Sequence, residues 1–346
     1  MIWFISAVLI ATAWLPLLPV DWWWIRIGDY PRLQLLIAYV AALLVIAPFW
    51  RHPVSMTLAG LLTVSIGIQV YWIFHYLPIA PNQVQWAHSN DPANRVRILT
   101  ANVLQENEDA TALLKLVATH QPDILALCEV NERWINDLRS LEDDFAFHLT
   151  HPLENTYGMA LYTNLNVIRA DVRGLVKPDI PSIDAVVRLR SGHEVRLFVV
   201  HPNPPRPGED TTKRDAELVL VGREVRDDPT VIVLGDMNDV GWSRTTNLFQ
   251  EVSGLLDPRQ GRGFYSTFNA KSLIWRYPLD YLFHSDDFRL AMLKTLPGIG
   301  SDHFPLLVEL SHEPDARRHQ EAPDLDEGDR QDAADAVDAV KRPESD

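Results

Sequence analysis

Val231-Ile232-Val233-Leu234-Gly235-Asp236-Met237-Asn238-Asp239 is the stretch on which the reading of the chain turns. Its apolar, mostly β-branched start reads as a fully buried strand. The strand runs into Gly235 and then presents Asp236 and Asn238. Residues two apart on extended chain point the same way. A carboxylate and a carboxamide therefore project together from the C-terminal end of a core strand, where an open α/β sheet places its ligands. Asp and Asn also close strands as Asx turns. The segment alone leaves both readings open.

Working outward, other apolar strands end in the same kind of residue. The 96–103 strand carries Asn102. The 123–130 strand ends in Glu129, a carboxylate that an apolar strand does not favour. The 195–200 strand runs into His201-Pro202-Asn203-Pro204-Pro205. Asp280 lies in the 279–283 strand, and Asp302-His303 precede a last strand at 305–310. Further strands are expected at 159–163, 185–189 and 288–293. Helices are expected at 109–120, 131–141, 211–225 and 243–250, with Thr211 or Thr212 as N-cap. Taken singly, each Asp is a turn or cap and each His a structural hydrogen-bonder. Eight such residues at matching topological positions argue for one site.

Weaker candidates surround these. Arg206, Lys213 and Arg214 follow His201 and could neutralise phosphates, or mark a solvated helix start. Tyr157 before Gly158 could line the site or simply open a strand. Met237 and Trp242 read as packing or pocket wall, and His148, His151 and His193 as surface residues.

The 346-residue chain has an apolar fraction of 47%, unevenly spread, and a formal net charge of −15. Residues 2–20, 33–50 and 56–77 are almost wholly apolar. Each is roughly long enough for a membrane-crossing helix at ~20 residues per span. Trp22, Trp23 and Trp24, with Tyr71, Trp72 and Tyr76, sit at span ends, where amphipathic aromatics favour the headgroup layer. The first segment lacks the positive start and cleavage site of a removed signal peptide. Three spans give a multi-pass cell-membrane protein with Met1 and the large C-terminal region on opposite faces. Arg26 and Arg32 against Arg51 differ too little to choose the face. The tail from Ser311 carries twelve Asp/Glu against five Lys/Arg and no apolar pattern, so disorder is expected there. Such an acidic chain is a poor non-specific duplex-DNA coat. Cys128 is the only cysteine and can form no intrachain disulfide.

The pieces Thr100-Ala101-Asn102-Val103, Cys128-Glu129-Val130, Val200-His201-Pro202-Asn203, Gly235-Asp236-Met237-Asn238, Leu279-Asp280-Tyr281 and Ser301-Asp302-His303, in this order, resemble the endonuclease/exonuclease/phosphatase superfamily. The likeness extends over about residues 95–310, within the deoxyribonuclease-I-like branch and close to bacterial membrane-linked members. It implies a four-layered α/β sandwich of two mixed sheets packed face to face with helices outside. It also implies that Asp236 orients or deprotonates the attacking water and that Asn238 holds phosphate or water beside it. His303 would act at the scissile phosphate, buttressed by Asp280. His201 would donate to a non-bridging oxygen, as in the deoxyribonuclease and sphingomyelinase branches.

Phosphodiester hydrolysis needs an activated water and a counter-charge for the phosphoryl oxygens. Oxygen ligands suit Mg²⁺, with Mn²⁺ as the alternative. Glu129 is the leading ligand, with Asn102 and Asp302 completing the sphere directly or through water. Asn203, Arg206 and Arg214 are the substrate-binding candidates. The organisation expected is a membrane region at 1–80, a linker at 81–94, a catalytic domain at 95–310 and the acidic tail at 311–346. The function expected is a membrane-anchored, metal-dependent phosphodiesterase acting on nucleic acid. The alternatives are a phospholipid or inositol-phosphate phosphodiesterase and a non-catalytic membrane-tethered binding domain. No protein partner can be inferred.

Overall fold

The computed structural model describes residues 2–18 and 20–341. Four helices come first: α1 (Ile2–Trp14), the single turn α2 (Trp23–Arg26), α3 (Arg32–Ile46) and α4 (Pro53–Ile73). Then follow β1 (Arg95–Asn102), α5 (Thr111–His120), β2 (Ile124–Cys128), α6 (Glu132–Asp137), α7 (Leu141–Asp144), β3 (Phe147–His151), β4 (Met159–Thr163), β5 (Asn166–Gly174), β6 (Pro181–Arg188) and β7 (Glu194–Val200). The chain continues through α8 (Thr212–Val225), β8 (Val231–Asp236), α9 (Arg244–Ser253), β9 (Asp280–His284), β10 (Phe288–Thr295), β11 (Leu306–His312) and α10 (Glu327–Lys341).

The strands make two mixed sheets, ordered β10-β11-β1-β2-β4-β3 and β5-β6-β7-β8-β9. Only β1/β2 and β7/β8 run parallel. The central strands are apolar on both faces because both faces are covered. Ile98, Ile124 and Ala126 of the first sheet meet Ile183, Leu197, Ile232 and Leu234 of the second in the inter-sheet core. The alternate residues Leu99, Leu125 and Leu127 face outward onto Leu113 and Val117 of α5 and Trp134 of α6. Phe198, Val233 and Phe283 pack on Leu218, Val221 and Val225 of α8 and Phe249 of α9. The result is the expected four-layered sandwich. β3 and β5, absent from the sequence reading, are edge strands with mostly half-exposed or exposed residues. The expected 131–141 helix is broken into α6 and α7.

Two N-terminal segments are long and apolar enough to cross a membrane, Arg32–Phe49 (mean hydropathy 2.0) and Pro53–Tyr76 (1.6). The helix α1 has 13 residues, short of the ~20 of a crossing helix. It packs with α3 and α4 through Ile10, Ala13, Tyr39, Ile46, Leu58 and Leu62.

Two expectations need correction. The acidic tail is ordered where it is described: Ala333, Ala336 and Val337 of α10 recur at helical spacing and pack on Val219, Leu248 and Val252. Small apolar residues spaced among acids escape a search for large hydrophobics. Residues 342–346 of that expectation lie outside the described ones. Nor do residues 81–94 hang free: Val84 is buried in the inter-sheet core and Trp86 pairs with Leu290.

Glu217 is buried on α8, with Ser182 Oγ donating to its carboxylate at 3.2 Å. Burial pushes this carboxyl up to about 8 from 4.5. As pH rises through 4.5 and on towards 8, the unfolded chain loses a proton that the fold keeps, so stability falls, and the loss levels off above 8. Each pKa unit corresponds to about 1.4 kcal/mol. Glu217→Gln should therefore raise the Tm relative to the parent at pH 8 and leave it nearly unchanged at pH 5, in thermal unfolding of the full chain in one detergent.

Candidate active site

The ends of β1, β2, β7, β8 and β9 meet at one edge of the sandwich, drawing on both sheets. Gly235 lets β8 reach there: its φ is +132°, and a Cβ would lie 2.1 Å from Val200 O on the neighbouring strand. Asp236 follows, almost fully buried. Its Oδ1 accepts from Asn238 N at 2.9 Å, and Asn238 sits at φ +51°. The Asx turn and the site are thus one structure, and the two readings of this stretch do not compete.

Asp236 Oδ2 lies at the centre. Asn102 Nδ2, from the end of β1, donates to it at 3.0 Å and to Glu129 Oε1 at 2.8 Å. His303 Nε2 stands 3.6 Å from it and His201 Nε2 3.7 Å. His303 Nδ1 donates to Asp280 Oδ2 at 2.7 Å. Asp280 is placed by the antiparallel register of β9 on β8, which sets it opposite Asp236. His303 is held by its own N–H to Ser301 Oγ, whose hydroxyl in turn donates to Asn102 O.

The two histidines are driven apart electrostatically. Burial lowers His201 to about 4, against the pull of Asp236. Burial also opposes charge on His303, but Asp280 and Asp236 outweigh it and carry the imidazole up to about 10. At neutral pH one ring is neutral and the other a cation. Burial raises the carboxyl of Asp236, with His303 pulling the other way. Burial raises Glu129 as well, opposed by the Asn102 hydrogen bond and reinforced by Asp236.

A cavity of about 520 Å³ opens over these groups. Glu129, His201, Asp236, Asn238, Asp302 and His303 line it, together with the guanidinium-bearing Arg206. Asn102 and Asp280 stand one layer behind. Asn102 Oδ1 is taken by Leu104 N–H at 3.0 Å, so its amide presents a donor, not an oxygen, to the carboxylates. Among metal-capable side chains, Asp236, Asp280 and His303 bring ligand atoms within 4.8 Å of one another. Arg214 does not reach the cavity. It is buried, paired with Asp215 and Asp239, and donates to Asn238 O at 3.1 Å, holding the 236–238 turn from behind. Asn203 is likewise outside the lining, its Oδ1 buried without a partner. Thr156 and Tyr157 do line the cavity, so the tyrosine before Gly158 is wall as well as strand entry.

Ile27, Tyr30, Pro31, Phe268 and Tyr277 also line it. Sequence reasoning missed these, since nothing in the first connection signals that it folds back 200 residues onto the site.

A superfamily sandwich with carboxylates and histidines at converging strand ends is the class of protein this geometry defines. Residues 99–303 match the family described as Endonuclease/Exonuclease/phosphatase, and the chain belongs to it. No curated protein sequence matches the chain. Among solved structures, a humanized D. rerio TDP2 superposes with a TM-score of 0.54 at 14% identity, covering 63% of this chain and 99% of that one. ANGEL2, a 2',3'-cyclic phosphatase, gives 0.53 at 14%, covering 63% and 95%. The human Nocturnin catalytic domain with bound sulfate anion gives 0.51 at 19%, covering 63% and 94%. At these identities the likeness establishes the fold.

The opposed histidine shifts can be checked directly. In EDTA-treated protein, ¹⁵N–¹H correlation spectra should show His303 protonated and His201 neutral at pH 7. Asp280→Asn should bring His303 down towards the ordinary imidazole range and leave His201 nearly unmoved.

Proposed function

We propose that the chain is a membrane-anchored, divalent-metal-dependent phosphodiesterase. The observation that carries this reading is Asp236 Oδ2 flanked by His201 Nε2 at 3.7 Å and His303 Nε2 at 3.6 Å, with His303 clamped by Asp280. One buried carboxylate with two imidazole N–H groups beside it can take a proton from water and bind phosphoryl oxygens at the same place.

Asp236 accepts the proton of the attacking water, its carboxylate aimed by Asn102 and by the Asn238 backbone N–H. Neutral His201 donates from Nε2 to a non-bridging oxygen. The imidazolium of His303 is oriented by Asp280 and offers a charged donor to the oxygens that gain charge in the transition state. Arg206 at the cavity wall faces the phosphate.

The donor set fits a hard divalent cation. Glu129 and Asp302 turn carboxylates into a cavity that already holds Asp236, and Asp280 Oδ1 is buried without a hydrogen-bond partner. Glu129 and Asp302 would hold Mg²⁺ or Mn²⁺, with Asn102 fixing the Glu129 carboxylate. When bound, the ion neutralises charge on the phosphoryl oxygens. The segment 1–80 would anchor the enzyme in the cell membrane and 95–310 would supply catalysis. Nucleic acid, the substrate expected from the sequence, is one reading, supported by the D. rerio TDP2 structure complexed with single strand DNA product.

Purified full chain in detergent should hydrolyse bis(4-nitrophenyl) phosphate with Mg²⁺ or Mn²⁺ and lose activity in EDTA. Asp236→Ala and His303→Ala should each lower kcat by about 10²–10⁴ in protein that still folds, read by circular dichroism at the assay temperature. A fully active His303→Ala protein would remove the assignment. Glu129→Gln should raise the Mg²⁺ concentration for half-maximal rate by about 10-fold or more.

A further inference from the structure

The catalytic turn is seated on the ends of the apolar helices. Tyr30, two residues before α3, donates its hydroxyl to Asn238 O at 2.5 Å. Trp242 Nε1 donates to Asp29 O at 2.7 Å. Tyr76, just past α4, donates to Gly241 O at 2.9 Å and to Asp257 Oδ2 at 3.0 Å. The approach is tight, since a Cβ on Gly241 would lie 2.3 Å from the Tyr76 hydroxyl. Tyr76 is therefore buried in this seat, not displayed to headgroups as its place in the sequence suggests.

The cavity mouth consequently lies at the level where α3 and α4 begin and end. Ile27, Pro31, Phe268 and Tyr277 line it together, and Tyr30 meets Tyr277 edge to face with ring centroids 5.5 Å apart. Between Phe268 and Tyr277 the chain displays Leu273 (90% exposed), Ile274 (67%) and Trp275 (54%). That loop is tied to the first turn of α3, where Gln34 Nε2 donates to Ile274 O at 2.8 Å. Trp22, Trp24 and Ile27, in the connection that precedes α3, are also exposed. Exposed apolar and Trp side chains at the end of spanning helices belong to the membrane interface. The cavity lining is two-natured: Glu129, His201, Arg206, Asp236, Asp302 and His303 on the one hand, and Ile27, Pro31, Pro204, Pro205, Phe268 and Leu279 on the other. A nucleic-acid strand needs a track of Lys and Arg for its backbone. Arg206 is the one such residue in the lining.

We propose that the substrate is a bilayer-embedded phospholipid, whose phosphodiester headgroup enters the cavity past the packed edge formed by residues 27–31 and 268–277 while its acyl chains stay in the membrane. The loop 270–276 dips into the same leaflet and holds the mouth against it. This rests on the phosphodiesterase reading above. In the reaction the water oxygen bonds to phosphorus, one P–O ester bond breaks and the departing oxygen takes a proton. The products are a phosphomonoester and an alcohol, with the second proton of the water released, and one product retains the acyl chains.

The test uses the full chain with Mg²⁺ in mixed micelles. The probes are phosphatidylcholine, phosphatidylglycerol, phosphatidylinositol and sphingomyelin, a single-stranded oligonucleotide, and soluble bis(4-nitrophenyl) phosphate. At least one lipid should be cleaved with a higher kcat/KM than the oligonucleotide. Leu273→Asp combined with Ile274→Asp lies outside the lining and should leave bis(4-nitrophenyl) phosphate turnover unchanged. It should raise the KM for micellar lipid by about tenfold or more, as expected when two apolar side chains lose a membrane contact. Cleavage of the oligonucleotide and the soluble diester without any lipid would overturn the lipid proposal and spare the phosphodiesterase. So would an unchanged lipid KM in the double variant. Hydrolysis of none of the probes would overturn the phosphodiesterase reading itself.

Discussion

The structure depends on keeping one carboxylate, that of Asp236, buried where two sheets converge. An isolated buried charge is costly unless hydrogen-bonded and paired. Here the compensation comes from across the sandwich: Asn102 from the first sheet at 3.0 Å, Asn238 N–H from its own turn, and the two imidazoles at 3.6 and 3.7 Å. None of these partners is near Asp236 in sequence except Asn238. The inter-sheet core must therefore pack in one register for the site to exist, and the glycine at 235 is needed for the parallel neighbour to come close enough.

Much of this was legible because core strands are monotonous. Where a strand buried on both faces ends in Glu129, His201 or Asp236, the polar residue interrupts a pattern that nothing but packing would write. The reading worked for the central strands β1, β2, β7 and β8, and failed for β5, whose residues 166–174 alternate among half-exposed positions and carry no such contrast. It failed for α10 for a related reason: alanine buries too little area to stand out against the surrounding acids. Arg214 shows a different limit. A cation after a catalytic histidine looks like a phosphate ligand, and only the fold reveals that Asp215 and Asp239 already neutralise it.

The role of the N-terminal helices was least legible. Hydropathy identified apolar segments and gave them an anchoring task. It could not show that Tyr30 and Arg214 share the carbonyl of Asn238, one from the membrane side and one from the sandwich side. A tether that merely holds a domain near a bilayer has no reason to contact the catalytic turn. Here the same backbone oxygen is held by both.

That shared oxygen bears on how the enzyme would act. Asn238 lies in a strained, left-handed conformation, and such residues persist where the surroundings over-determine them. The surroundings in this case include Tyr30 and the Trp242–Asp29 contact. Burial holds the Tyr30 phenol well above its usual range, with Asp239 adding to the effect, so it is a hydrogen-bond donor at neutral pH. The geometry of the turn that carries Asp236 is therefore set jointly by the sandwich and by the helix ends. Residues 27–31 thus line the cavity and, through Tyr30, hold the turn that carries Asp236, so that one packed contact joins the helix ends to the site.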